Sequence, residues 1–183
     1  CPAFKLNPGE IVVITGASGC GKSRLLRAVA DLDPNEGEMN LAGQSRASMC
    51  APEWRKQVML IPAEAVWWED EVAPHFPQPP SAEWLEQLGL DAGCLGWEVS
   101  RLSSGEKQRL GLLRALVRKP SIVLLDEPTS NLDDRNVERV EAFLLQYLTD
   151  NQAAALWVSH DPEQQARVAS QTLTFREHGW ELA

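Results

Sequence analysis

The sequence predicts an α/β fold: a layered, mostly parallel sheet flanked by helices, with a small, mostly helical subdomain inserted between core strands. Three observations carry this. Short apolar runs alternate with helical patterns along the chain, which is the signature of strands and helices in layers. The run Ile122 to Leu125, IVLL, is apolar throughout, as a parallel strand covered on both faces requires. Near the start, a β-branched run, a glycine-rich turn and a helical pattern follow one another without a gap.

Ile11 to Thr15, IVVIT, is a short β-branched run ending in glycines and predicts a buried strand. Lys22 to Asp31 then places Leu25, Leu26, Val29 and Ala30 on one helical face, and Pro34 follows the stop. Gly37 to Gly43 reads as a turn and short strand. Val58 to Ile61, VMLI, predicts a second buried strand, stopped by Pro62. Composition changes from Glu64 to Ser100. Four tryptophans (Trp67, Trp68, Trp84, Trp97), four prolines between Pro74 and Pro80, and a helical stretch from Ser81 predict the inserted subdomain, with the tryptophans as its packing. From Leu102 the pattern is helical, with Leu110, Leu113, Leu116 and Val117 apolar and Pro120 closing it. A helix over Asn136 to Leu148, a strand over Ala155 to Ser159, and a tail hairpin turning at His178-Gly179 complete the reading.

A chain of 183 residues fits one domain that buries about 70% of its unfolded surface. Seventeen basic against 26 acidic residues give a net charge of −9, which argues against nucleic acid as the main partner, because that binding depends on neutralising phosphates. No apolar run approaches the roughly 18 to 20 residues that span a bilayer. The first residues lack the charged-then-apolar pattern of a signal peptide. The four cysteines form no CxxC, which fits a reduced, cytosolic setting better than a disulfide framework or a zinc site.

The turn after IVVIT reads GASGCGKS. In this G-x-x-x-x-G-K-S pattern, Gly16, Gly19 and Gly21 let backbone N–H groups turn toward phosphates, with Ala17, Ser18 and Cys20 between them, and the next helix adds its positive N-terminal end. Lys22 would reach the β- and γ-phosphates and the Ser23 hydroxyl would sit on Mg²⁺. The fold class sharpens to a P-loop NTPase. Asp126 closes the apolar run IVLL, where a carboxylate is costly unless a cation meets it, and Mg²⁺ bridged from Ser23 is that cation. Glu127 then stands where it can polarise an attacking water. ATP and Mg²⁺ are the implied cofactors. The predicted division is a nucleotide-binding core of residues 1–63 and 105–183, with residues 64–104 as the inserted helical subdomain.

LSSGE with KQR, an apolar strand into DEP, and then SNLD resemble the ATP-binding cassette (ABC) ATPases, the nucleotide-binding subunits of ABC transporters, over nearly the whole chain. The resemblance implies that Ser103, Ser104, Gly105 and Glu106 contact the γ-phosphate of ATP bound on a second copy, and that Asp133 belongs to a loop crossing between copies. It makes His160 a switch histidine on the γ-phosphate and puts Arg24 near the α-phosphate. It implies an ATP-dependent head-to-tail dimer powering separate integral membrane permease subunits, with the chain held at the inner, cytoplasmic face of the cell membrane through them. The ending ALWVSHD…WELA resembles small bacterial cassettes assigned to efflux of a metal such as iron. Two departures stand out. The family places a Gln after VMLI, where this chain has Ala63 and then Glu64: Glu64 serves, or water replaces the ligand, or coupling is altered. The family also stacks adenine on an aromatic from an N-terminal strand, and Phe4 lies too near the phosphate loop for that. Alternative functions are a soluble ABC ATPase acting on DNA or ribosomes, and an ATP-dependent clamp with weak turnover.

Overall fold

The strand that carries the glycine loop lies inside the sheet. In the computed structural model, which describes residues 3–176 and 179–182, β1 (Ile11–Thr15) is flanked by β6 (Ala154–Val158) and β7 (Gln171–Arg176), both parallel to it. On the far side of β6 come β5 (Ile122–Asp126) and β4 (Val58–Ile61), also parallel. The antiparallel β8 (Gly179–Leu182) ends the order β4-β5-β6-β1-β7-β8. Its pairing Arg176↔Gly179 agrees with the expected hairpin, while His178 lies outside the described residues. A two-stranded pair, β2 (Asn40–Leu41) and β3 (Gln44–Ser45), stands apart.

Alternation along the strands divides the core into two layers, since successive side chains point to opposite faces. Val12, Ile14, Leu124 and Leu156 share one face with Leu26 and Ala30, at the end of α1 (Lys22–Val29), and with Trp54 of α2 (Ala51–Gln57). Val13, Val123, Leu125 and Trp157 share the other face with α4 (Ser104–Leu116) and α5 (Asp134–Asp150), through residues such as Leu113 and Leu144. Both faces are covered, so the strands tolerate no polar residue until their ends. A last helix, α6 (Pro162–Val168), leads into β7. Among the described residues no helix is long and apolar enough to cross a membrane.

The segment of residues 64–104 has less helix than its sequence suggests. Only α3 (Ala82–Gln87) is α-helical, with three single-turn 3₁₀ helices around it. Four prolines in seven residues remove backbone donors and keep the turns short. Its tryptophans divide. Trp84 meets Phe143 and Tyr147 of α5 edge-on at 5.5 and 5.8 Å, and Trp67 and Trp97 pack on the same core. Trp68 does not: it is 63% exposed.

Candidate nucleotide site

Because β1, β5 and β6 run parallel, their carboxyl ends open on one edge, the usual place for ligands in such sheets. The loop from Gly16 to Gly21 leaves β1 there. Gly21 caps α1 in the left-handed region at φ 106°, which turns the loop into the helix. Gly16 is confined differently: a Cβ there would stand 3.0 Å from both Cys20 Sγ and Phe175 Cβ, so the loop root lies against β7. Lys22 is buried, and its Nζ donates to the carbonyls of Gly16 and Ala17 at 2.9 and 3.0 Å. The ammonium is thus held inside the curve of the loop. Ala17, Ser18, Gly19, Ser23 and Arg24 are exposed, with their polar groups open to a ligand.

Asp126 ends β5 half-buried, paired with Val158 of β6, and its carboxylate enters no hydrogen bond or ion pair among the described residues. Such a carboxylate suits a cation. No cluster of three or more His, Cys, Asp or Glu side chains fit to hold a metal occurs among the described residues. One carboxylate and the Ser23 hydroxyl, completed by phosphate oxygens and water, is nonetheless the sparse set that Mg²⁺ takes. The next residue, Glu127, sits at φ 49°, rare for a side chain of its size. Its N–H donates to Val158 O at 3.2 Å, and its Oε1 lies 3.1 Å from His160 Nε2. The strand ends of β5 and β6 thereby bring Glu127 and His160 into contact.

The signature residues form a second group. Ser103 caps α4, and its hydroxyl accepts from Glu106 N at 3.3 Å while Glu106 Oε2 accepts from Ser103 N at 2.9 Å and Ser103 Oγ at 2.7 Å. Those two donors hold the Glu106 carboxyl below its ordinary range. Gly105 faces Leu132 and the Asn131 carbonyl, so the helix start lies against the loop before Asp133. Asp133 caps α5, with Oδ1 accepting from Asn136 N at 3.0 Å and Oδ2 from Asn136 Nδ2 at 2.8 Å. No hydrogen bond joins Ser103–Glu106 to the glycine loop among the described residues. After β4, Ala63 is half-buried and Glu64 exposed.

A model of the ABC transporter family matches residues 2–130. The chain belongs to the ABC transporter family. This ABC ATPase is 35% identical, over 98% of its length and 84% of the relative's, to the probable iron export ATP-binding protein FetA of Escherichia coli (strain K12). It is 37% identical, over 94% of its length and 69% of the relative's, to the aliphatic sulfonates import ATP-binding protein SsuB 2 of Paracoccus denitrificans (strain Pd 1222). Among solved structures, the dimeric ATP-binding cassette MJ0796 in a post-hydrolysis state bound to ADP and Pi superposes with a TM-score of 0.77 at 25% identity, covering 93% of this chain and 83% of that one.

Sequence reasoning missed a buried polar network beside the site. Glu141 of α5 accepts from Arg167 Nε and Nη2 at 2.9 and 2.8 Å and from Gln164 Nε2 at 2.9 Å. Gln164 also donates to Thr129 Oγ1 at 3.0 Å, two residues beyond Glu127. The network ties α5 and α6 to the loop that leaves β5. The one signal for α6 was Asp161-Pro162, a capping Asp followed by a proline at the first helical position.

Proposed function

We propose that two copies of this ABC ATPase close head to tail around two ATP and drive transport through separate integral membrane permease subunits. The observation that carries the reading is the meeting of Glu127 and His160 at the strand edge that also bears the glycine loop and Asp126. Each site would take the loop from Gly16 to Gly21, Lys22, Ser23 and Arg24 from one copy, with Asp126, Glu127 and His160. The other copy would supply Ser103, Ser104, Gly105 and Glu106, with Asp133 beside them, placing a helix N-terminus on the γ-phosphate. Mg²⁺, held by Ser23 and Asp126, would offset the phosphate charge. Glu127 accepts the proton of the attacking water as the bond from the γ-phosphorus to the bridging oxygen breaks. His160 orients that carboxylate and faces the γ-phosphate.

Residues 1–63 and 105–183 form the nucleotide-binding core in this reading, and residues 64–104 the inserted unit. The chain is held at the inner face of the cell membrane by the permease. Relatives named for iron export and for sulfonate import share one engine, so the permease selects cargo and direction. Metal efflux is the cargo suggested by the likeness to a probable iron export protein over 98% of the chain, and the permease that pairs with this chain decides it.

Glu127→Gln tests the mechanism. The variant keeps ATP binding and loses the base, so in Mg-ATP it accumulates as a dimer, with the 20.3 kDa mass doubling in light scattering and little phosphate released. A variant that stays monomeric in saturating Mg-ATP sinks the head-to-tail reading.

A further inference from the structure

A non-glycine residue keeps a left-handed backbone only where its surroundings hold it there. For Glu127, at φ 49°, the N–H is tied to Val158 O at 3.2 Å, and its carbonyl oxygen accepts from Ser130 N at 3.2 Å, Ser130 Oγ at 3.1 Å and Gln108 Nε2 at 3.3 Å. The two Ser130 bonds are local, three residues along the same loop. The Gln108 bond comes from another element, α4. Gln108 is 8% exposed, and its Oε1 is buried without a partner, so this amide gives up hydration to place one N–H on the Glu127 carbonyl.

The helix that carries Gln108 is anchored at two other places. Two to five residues earlier, the Ser103–Glu106 cap forms the end that would face the second copy's nucleotide. Three residues later, a Cβ at Gly111 would stand 2.6 Å from the Ala65 Cβ, and six residues later Arg114 Nη1 donates to Val66 O at 2.8 Å. Those contacts fasten α4 to the loop after β4, the loop in which Ala63 and Glu64 stand where the family resemblance expects a Gln.

We propose that Gln108 is a positioning residue that transmits displacements of α4, from the signature end or from the loop at residues 62–66, to the backbone of Glu127. In this chain the path from that loop to the reacting centre runs through a helix and one amide rather than through a side chain of the loop itself. A shift of α4 lengthens or tightens the Gln108–Glu127 bond and re-aims the carboxylate relative to His160 and the attacking water. The inference rests on the reading of Glu127 as the residue that polarises water.

The test measures Mg-ATP turnover of wild type, Gln108→Leu and Gln108→Glu, with nucleotide affinity from a fluorescent ATP analogue and melting temperature alongside. Leu removes the donor at similar volume, and Glu turns it into an acceptor facing a carbonyl. Expected is a fall in kcat of about 10- to 100-fold, the scale of a small misplacement of a reacting group, with KM and nucleotide affinity within about twofold. Ser130→Ala, which deletes the other side-chain donor, should be more than additive with Gln108→Leu. If either variant folds and turns over at the wild-type rate, the proposal is overturned. It is also overturned if kcat and melting temperature fall together while KM rises, which is a structural role alone. Glu127→Gln separates the two ideas: if it retains turnover, the water-polarising reading fails first. If it abolishes turnover while the Gln108 variants keep theirs, only this inference fails.

Discussion

Replacing Glu141 with Gln should destabilise the protein by about 1–2 kcal/mol at pH 7, and the loss should shrink in acid. The carboxylate is 7% exposed and takes three donors, two from the Arg167 guanidinium and one from Gln164. Hydrogen bonds to charged groups contribute about 1.5–3 kcal/mol, and breaking a wholly buried pair costs about 3–5 kcal/mol. Arg167 is 45% exposed and recovers much of its hydration once the carboxylate is gone, which sets the estimate at the low end. At roughly 2–4 °C per kcal/mol for a chain of this size, melting should drop by about 2–8 °C. Burial pushes the Glu141 carboxyl up, but the Arg167 and Gln164 bonds outweigh it and hold the group below its ordinary range. A carboxyl depressed in the folded state stabilises above its unfolded value, about 4.3, and that contribution disappears as pH falls through the lower folded value. Thermal melts of wild type and Glu141→Gln at pH 7 and near pH 3.5 therefore test size and sign together. Equal melting temperatures at pH 7, or a gap of the same size at both pH values, would refute the reasoning.

Gly111→Ala should be destabilising, against the gain of up to about 1 kcal/mol that this change normally brings in a helix interior, because the new Cβ collides with Ala65. Adding Ala65→Gly should restore the loss in urea titrations; a Gly111→Ala protein more stable than wild type would contradict the close approach. Trp84→Ala should cost about 2–4 kcal/mol, since it deletes the edge contacts to Phe143 and Tyr147. A loss under about 1 kcal/mol in the same titration would show that residues 81–90 are not anchored on α5 through that ring.

The parts of the fold set by local physics were legible. IVVIT, VMLI and IVLL read as buried strands because both faces of the sheet are covered, and the glycine loop read as a phosphate cradle because its turn needs residues without Cβ. The short α2 was not legible. Its seven residues bury little besides Trp54, whose Nε1 donates to Val29 O at 2.9 Å, so no periodicity announces it. The missed Glu141–Gln164–Arg167 network joins residues 23 to 26 positions apart, and only the packing of α5 against α6 creates it. Gln108 and Ser130 stood beside motif residues in the sequence. Their convergence on one carbonyl oxygen depends on the backbone angle of Glu127, which no residue pattern encodes.

The strand order has a consequence for dividing the chain. β1, which bears the glycine loop, and β5, which bears Asp126, do not pair with each other; β6 lies between them and bonds to both. A fragment ending at residue 130 would contain the whole loop and both acidic residues yet lack the strand that sets their spacing. Such a piece has the vocabulary of the site without its grammar. Function should return only when residues 131–183 are supplied, by covalent continuity or by fragment complementation.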